Sequence, residues 1–289
     1  MPGIITSRTK RLYLRPPHGP FVLNRDCPYA RGLEAWFPLG EGNSETFADR
    51  AGRVQRVLTR AGTISITAGP DGGYAASPGG VATNKLTMAT SPVTTTPYHL
   101  GCWAYPNNVT TYYSLIGVLQ NITNEAYGVL GIAGATAGDP VIMESAHAGA
   151  TYANSATSRG YVAGRWQRFD GNVVSATSRS SWIDGAGKGT NTTSVTVGTF
   201  DSFRVGGYSD VDGDFDGLNG NICEVGVWSV VRTDAEVWRT FDPATRWEHR
   251  YVIGRKMWSF PTGGAVADQP YFYGSNEPLS SIWHLDKLC

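Results

Sequence analysis

Cysteine is scarce in this chain, and its four cysteines form no motif. Cys27, Cys102, Cys223 and Cys289 are far apart in the 289 residues, and none belongs to a Cys-x-x-Cys pair. This spacing excludes a dense disulfide framework and a zinc or redox pair. Cys102 and Cys223 both fall in predicted strands and can pair only if those strands are neighbours. Reduced structural cysteines are favoured, because the chain shows no export signal.

Long apolar runs and an excess of one charge are also missing. No stretch approaches the 18 apolar residues of a membrane-spanning helix, and residues 1–17 lack the apolar run of a signal peptide. The 24 Lys and Arg residues balance the 24 Asp and Glu residues. A chain without net charge has no global field that attracts nucleic acid or an anionic membrane. We therefore expect neither as a partner.

Catalytic motifs are absent as well. A glucanase of the sandwich type needs paired carboxylates in a Glu-x-Asp-x-x-Glu pattern, which aims acid and nucleophile at one side of a sheet. Here Glu144, Glu224 and Glu236 are isolated. The chain has no Gly-x-Ser-x-Gly elbow, and its five histidines lack metal-ligand spacing. These absences predict that the protein is not an enzyme.

What the chain does have is the composition of an all-β protein. Gly occurs 36 times and charged residues make up only 17%, which favours short strands joined by tight turns. Asp184-Gly185 predicts a hairpin turn, and Thr233 with Glu236 predicts a capping box for one short helix. The strand-like segments include Thr63–Thr67, Tyr98–Tyr105, Tyr113–Leu119, Tyr127–Ile132, Trp166–Val174, Ser180–Ile183, Ser194–Val197, Phe203–Val205 and Ile222–Val230.

Tryptophan recurs in the predicted strands. Such wide rings suit the gap of about 10 Å between two packed sheets. Core packing is therefore favoured over stacking on a sugar. The residues concerned are Trp36, Trp103, Trp166, Trp182 and Trp228.

Six short segments, taken in order, resemble the laminin-G-like jelly-roll family within the concanavalin-A-like lectin and glucanase superfamily. The resemblance implies an all-β fold, an antiparallel two-sheet jelly-roll sandwich with extended N- and C-terminal arms. The segments are Gly32–Gly42 with Asp49–Gly52 after it, Tyr98–Tyr105, Gly164–Phe169, Trp182–Gly185, Phe203–Gly207 and Gly220–Trp228.

Three regions follow from composition: a Pro-rich basic arm over residues 1–30, a jelly-roll domain over 31–260 and an aromatic tail over 261–289. The ends are too apolar for free tails, while their prolines block regular elements. We expect both ends to bind other chains, although wrapping back on their own domain is the alternative. The predicted partner-binding residues are Arg8, Lys10, Arg11, Tyr13, Phe21, Tyr271, Phe272 and Trp283.

An acidic run suggests one cofactor, calcium. Asp212, Asp214 and Asp216 alternate with other residues, and Ca²⁺ takes six to eight oxygen ligands. The absence of flanking predicted helices excludes an EF-hand. A solvated acidic hairpin loop is the favoured interpretation, and a loop calcium site is the alternative.

The start of the chain resembles proteins of tailed bacteriophages, in which a Pro-rich arm leads into the first strand through a segment like Cys27–Leu33. The resemblance implies a non-catalytic virion component, such as a capsid decoration, head-surface or tail protein. Its partners would be other virion or shell proteins in a homo- or hetero-oligomeric assembly. Its location would be the virion, assembled in the host cytoplasm. The alternative function is a lectin module that binds cell-surface glycans, and a glycoside hydrolase is the least favoured.

Overall fold

The computed structural model describes residues 30–40, 45–51, 54–70, 73–120, 126–147, 151–210, 213–243 and 245–246. These residues form strands and one short helix. The strands are β1 (Leu33–Phe37), β2 (Thr46–Ala48), β3 (Val57–Ala61), β4 (Ser65–Ala68), β5 (Tyr74–Ser77), β6 (Lys85–Met88), β7 (Tyr98–Pro106), β8 (Tyr112–Leu119), β9 (Ala126–Ala133), β10 (Pro140–His147), β11 (Thr151–Gly160), β12 (Gln167–Ser175), β13 (Ser178–Ile183), β14 (Ala186–Asn191), β15 (Ser202–Val205), β16 (Tyr208–Asp210), β17 (Gly213–Phe215) and β18 (Gly220–Trp228), and the helix is α1 (Asp234–Phe241).

The strands build two packed antiparallel sheets of eight strands each. The first sheet runs β14-β13-β12-β7-β18-β5-β4, with β1 also paired to β18. The second sheet runs β11-β10-β9-β8-β15-β6-β3-β2, and β16 and β17 form a separate ribbon. This architecture confirms the predicted all-β, two-sheet jelly-roll sandwich. The predicted arms and region boundaries lie largely outside the described residues and stay predictions.

The core lies between the sheets and follows from the period of two in each strand. In β7, Leu100, Cys102 and Ala104 point inward and are fully buried. Ser181 of the first sheet donates a hydrogen bond of 3.2 Å to the carbonyl oxygen of Val141 in the second sheet. Small residues therefore bring the two sheets into contact at this end of the sandwich.

Four of the five tryptophans are buried as predicted, but their predicted location between the sheets is wrong. Because Leu100 and Cys102 take the inward positions of β7, Trp103 points to the outer face of the first sheet. It packs there with Ala75 and Cys223 in a cluster separate from the core. The buried tryptophans are Trp36, Trp103, Trp182 and Trp228, none more than 5% exposed, while Trp166 is only partly buried.

The described residues of the segment 229–246 cover much of this outer face. Phe241 of α1 stacks on Trp103 with ring centroids 6.1 Å apart. The guanidinium of Arg246 lies 4.8 Å from the centroid of the same ring. Arg232 lies over Trp228 in the same way at 4.7 Å. The covering segment thus excludes water from rings that a bare sheet would expose.

A buried ionic network lies beneath the same segment. Arg168 and Asp170 are completely buried and paired at 2.8 Å, and His99 is 3.0 Å from Asp170. Burial would raise the pKa of Asp170, but the Arg168 charge and the two hydrogen-bonded partners hold it below its usual value. Asn172 continues the network by donating to the carbonyl of Arg232 at 2.9 Å. Buried charges persist because each has a partner.

Local predictions were mostly confirmed. Thr233 caps α1 and forms the full capping box with Glu236. Asp184 and Gly185 both have positive φ and join β13 to β14. Residues 194–197, by contrast, are not a strand. This segment crosses between the sheets, and its Val195 amide bonds to the Ala176 carbonyl instead of joining a ladder.

The two described cysteines are free and buried. Their strands β7 and β18 are neighbours, but Cys102 packs in the core while Cys223 packs beside Trp103 on the opposite face of the sheet. Opposite faces prevent a disulfide, so the prediction of reduced cysteines is confirmed for this pair. In the described part of the chain, no helix has the length and hydropathy needed to cross a membrane.

We predict that Trp103→Ala lowers the free energy of unfolding by about 3–5 kcal/mol, because it leaves a cavity beneath Phe241 and Arg246. Tyr152→Ala is the control, because Tyr152 is 64% exposed, and it should change stability by less than about 0.5 kcal/mol. Denaturant unfolding of both variants measures the difference. Equal, small effects would place the Trp103 ring at the surface.

Candidate functional site

The outer face of the second sheet, unlike the covered face of the first, carries an open groove. Its volume is about 340 Å³. Three tyrosines, Tyr112, Tyr127 and Tyr152, line it together with Glu144 and Asn154. We call this cavity the tyrosine groove. Apolar ring faces with a few polar groups are the usual lining of a ligand site.

Strand register places these side chains on one face. Tyr127 in β9 and Tyr152 in β11 both pair with Ala146 of β10, so they occupy the same row two strands apart. That separation is roughly 10 Å. In the next row, Glu144 lies between Val129 and Asn154. The groove therefore runs across β9, β10 and β11.

A glycine makes room for the third tyrosine. The Tyr112 ring lies over Gly131, where an added Cβ would come within 2.7 Å of the Tyr112 hydroxyl oxygen. Real Cβ atoms do not approach this closely, so any larger residue at 131 would displace the ring. The glycine in β9 thus fixes the position of Tyr112 at the groove.

The polar groups of the groove are hydrogen-bonded to each other. The Tyr127 hydroxyl donates to Glu144 Oε1 at 2.8 Å, and Asn154 also bonds to the Glu144 carboxyl group. Burial raises the pKa of Glu144, and these two hydrogen bonds partly oppose the rise. Glu144 is therefore held in one orientation, with its carboxyl group facing the cavity.

A smaller cavity of about 60 Å³ adjoins the groove and shares Tyr112, Tyr127 and Glu144 with it. We call it the acidic pocket. Its remaining lining residues are Ser114, Val129, Tyr208 and Asp216.

The β16–β17 ribbon helps to close the acidic pocket. Tyr208 in β16 packs edge-on against Tyr127 with centroids 5.2 Å apart. Asp216 follows β17, and its carbonyl accepts a 3.1 Å hydrogen bond from the Ser114 amide. This bond ties the end of the ribbon to β8.

Two carboxylates share this region and affect one another. Burial, followed by the nearby Glu144 charge, raises the pKa of Asp216 to about 6. Burial and the same two carboxylates also raise the pKa of Tyr112 well above its usual value. The described residues that line the two cavities include no Lys, Arg or His. The site therefore combines two acidic groups with hydroxyl groups and ring faces.

The predicted calcium site is only partly described. Asp212 lies outside the described residues, and Asp214 lies in β17. Asp216 faces the acidic pocket with Glu144. Within the described ranges, no group of three His, Cys, Asp or Glu side chains could hold a metal ion. Calcium binding by the three aspartates stays a prediction.

The predicted partner-binding residues also stay predictions, because all of them lie outside the described residues. They are Arg8, Lys10, Arg11, Tyr13, Phe21, Tyr271, Phe272 and Trp283.

Sequence reasoning missed the tyrosine groove. In the sequence Glu144 is an isolated carboxylate, and none of the predicted strands covers β10 or β11. One signal was present: Tyr112 and Tyr127 occupy strand positions next to the apolar residues of the inward face. The alternation of side chains along each strand is enough to place both tyrosines on the outer face of the sheet. That they meet at one groove follows only from the pairing register of the strands.

Comparison with known proteins supports the fold. No family model and no curated protein matches the chain. Domain 4 of AbnA, a GH43 extracellular arabinanase from Geobacillus stearothermophilus, solved in complex with arabinotriose, is 19% identical with a TM-score of 0.57. The match covers 73% of this chain and 98% of that one.

Toxin binding domains are similar over about half of their own length. The binding domain of Paraclostridial Mosquitocidal Protein 1 is 12% identical with a TM-score of 0.54, covering 74% of this chain and 52% of that chain. The binding domain of botulinum neurotoxin DC, solved in complex with SialylT, is 10% identical with a TM-score of 0.52, covering 75% and 52%. At such identities the likeness shows a shared jelly-roll sandwich fold.

We predict that the Asp216 carboxyl group titrates near pH 6. Glu144→Gln should lower this pKa without restoring the usual value, because burial remains the larger cause. A raised pKa in the folded state means that stability present at low pH is lost as the pH rises through 6. Asp216→Asn should remove this loss, and Asn tolerates the positive φ of this position.

Carboxyl-carbon NMR titrations and unfolding curves across pH measure these two effects. A midpoint for Asp216 at about 4, the value of an exposed aspartate, would contradict the described burial.

Proposed function

We propose that this chain is a non-catalytic glycan-binding protein and that the tyrosine groove is its binding surface. One observation carries the proposal: Tyr127 and Tyr152 share one row across the open face of the second sheet, and a row that holds a carboxylate and an amide lies directly beside it. A sugar presents apolar C–H faces and polar hydroxyl groups together. Ring faces can pack on the former, while carboxylate and amide groups bind the latter.

The rigidity of the site supports binding of a ligand without large rearrangement. The polar groups sit on paired strands, and the Tyr127–Glu144–Asn154 hydrogen bonds fix their orientation. Pre-organised groups lose little conformational entropy when a ligand binds. A domain of the same fold in an arabinanase binds arabinotriose, which makes oligosaccharides a reasonable first set of ligands.

Hydrolysis is a weaker interpretation of the same residues. Glu144 and Asp216 are two carboxylates near one groove, as a glycosidase requires. However, the chain lacks the paired-carboxylate motif on one strand that a glucanase of this sandwich type needs. We therefore expect binding without turnover.

The test is a glycan array probed with the full chain, followed by calorimetry on the bound sugars. Tyr152→Ala should weaken binding roughly tenfold or more, because it removes an exposed ring from the groove. Tyr74→Ala is the matched control, because Tyr74 is an exposed tyrosine on β5 of the other sheet. It should leave the affinity unchanged.

Three results would contradict the proposal: no glycan bound, equal losses in the two tyrosine variants, or sustained hydrolysis that Glu144→Gln abolishes. The last of these would make the groove an active site.

A second role, as a virion component, rests on the ends of the chain. The first 15 residues carry Arg8, Lys10, Arg11 and Arg15 without an acidic residue, and the last 20 contain Tyr271, Phe272, Tyr273 and Trp283. Burying one such apolar side chain contributes roughly 1.5–3 kcal/mol. Ends of this kind suit contacts with neighbouring shell proteins, and the jelly roll would then display its groove to cell-surface glycans.

We predict that deleting residues 1–25 leaves a protein of near-normal stability that no longer joins its assembly. Thermal unfolding and sizing of the purified chain, alone and mixed with candidate shell proteins, measure the two effects. Unfolding or aggregation of the isolated truncated chain would instead assign the arm to its own domain.

A further inference from the structure

The acidic pocket has an unusual combination of groups for a cavity beside a glycan-binding groove. Glu144 and Asp216 bring two carboxylates to its wall. No basic side chain is among the described residues that line it. A neutral sugar does not require this concentration of negative charge, and an anionic sugar would be repelled by it.

Ser114 is a second, independent indication that the acidic pocket binds a ligand group. This residue is completely buried, and its Oγ has no hydrogen-bond partner among the described residues. A buried hydroxyl without a partner is destabilising. Because Ser114 lines the acidic pocket, a ligand group that enters this cavity can supply the missing donor.

Tyrosine rings are the third feature of the acidic pocket that favours a cation. Tyr112, Tyr127 and Tyr208 line the same cavity, and Tyr127 and Tyr208 meet edge to face. The negative faces of aromatic rings attract cations. The volume of about 60 Å³ exceeds the roughly 10–15 Å³ that one water-sized group requires.

We propose that the acidic pocket binds a primary ammonium group of the ligand, which makes an amino sugar the preferred class of glycan. The three N–H donors of such a group match three acceptors: the carboxylates of Glu144 and Asp216 and the Oγ of Ser114. A quaternary ammonium has no donor and would leave Ser114 unsatisfied. A calcium ion is bound mainly by several carboxylate and carbonyl oxygens, whereas only two carboxylates are among the described residues of this pocket, and no group of three acidic, His or Cys side chains in the described ranges could hold a metal ion.

This inference rests on the proposed glycan site and deepens it. The two can fail separately, because the sugar ring would lie in the tyrosine groove while its amine would enter the acidic pocket. A ligand without the amine should therefore still bind the groove, with lower affinity.

The experiment compares glucosamine oligosaccharides with N-acetylglucosamine oligosaccharides of equal length by calorimetry at neutral pH, using the full chain. Acetylation removes the charge and two of the three N–H donors. We expect the free amine to bind roughly ten- to hundredfold more tightly, the range of a charged hydrogen bond. Butylamine, which has no sugar, should bind weakly and compete for the pocket.

Variants assign the effect to the pocket. Asp216→Asn and Glu144→Gln should each remove most of the preference for the free amine, and Ser114→Ala should reduce it. Glu45→Gln is the matched control, because it removes an exposed carboxylate that lies outside the pocket, directly before β2 of the same sheet. It should leave the preference intact.

Each outcome decides between the two proposals. Equal binding of the acetylated and free-amine sugars overturns the ammonium site and leaves the glycan site standing. Binding of neither sugar overturns the ammonium site, and the glycan array then decides separately whether the glycan site stands. Tight binding of calcium alone, lost in Asp216→Asn, together with no amine preference, would make the pocket a metal site instead.

Discussion

The buried pair of Arg168 and Asp170 is the constraint that divides this sandwich into a closed side and an open side. Both charges are completely buried on the outer face of the first sheet, with His99 as a third partner. The covering segment keeps this pair out of water, and the two opposite charges offset much of the cost of burying each other. Asn172 ties that segment down through its two hydrogen bonds to the backbone of Arg232. The outer face of the second sheet remains for ligands.

Function on the open side follows from strand register more than from any single motif. Tyr127 and Tyr152 are 25 positions apart in the sequence, yet both pair with Ala146. Gly131 leaves room for Tyr112, and the β16–β17 ribbon brings Asp216 next to Glu144. Each residue alone has an ordinary structural explanation. Together they make a groove with ring faces and an adjoining negative pocket, which is the basis of the proposed function.

The fold class and those local features that depend on neighbouring residues could be predicted from the sequence. The Asp184-Gly185 turn and the capping box of Thr233 depend only on adjacent residues, and both were predicted. The prediction that the tryptophans lie between the two sheets is wrong. A strand has the same residue types on a face that is buried beneath a covering segment as on a face that is buried between sheets, so the sequence does not distinguish the two locations. The groove was missed because β11 is rich in small polar residues without apolar alternation. Only its pairing with β10 identifies it as a strand.

The most direct test of the account is amide chemical-shift mapping of the full chain during titration with a glycan that binds it. We expect the shifts to concentrate on β9, β10 and β11, including Gly131, Glu144 and Asn154, with little change in residues 229–246. Shifts confined to residues 229–246 and the strands beneath them would mean that the covered face opens to the ligand. That result would contradict the division into a closed and an open side on which the proposed function depends.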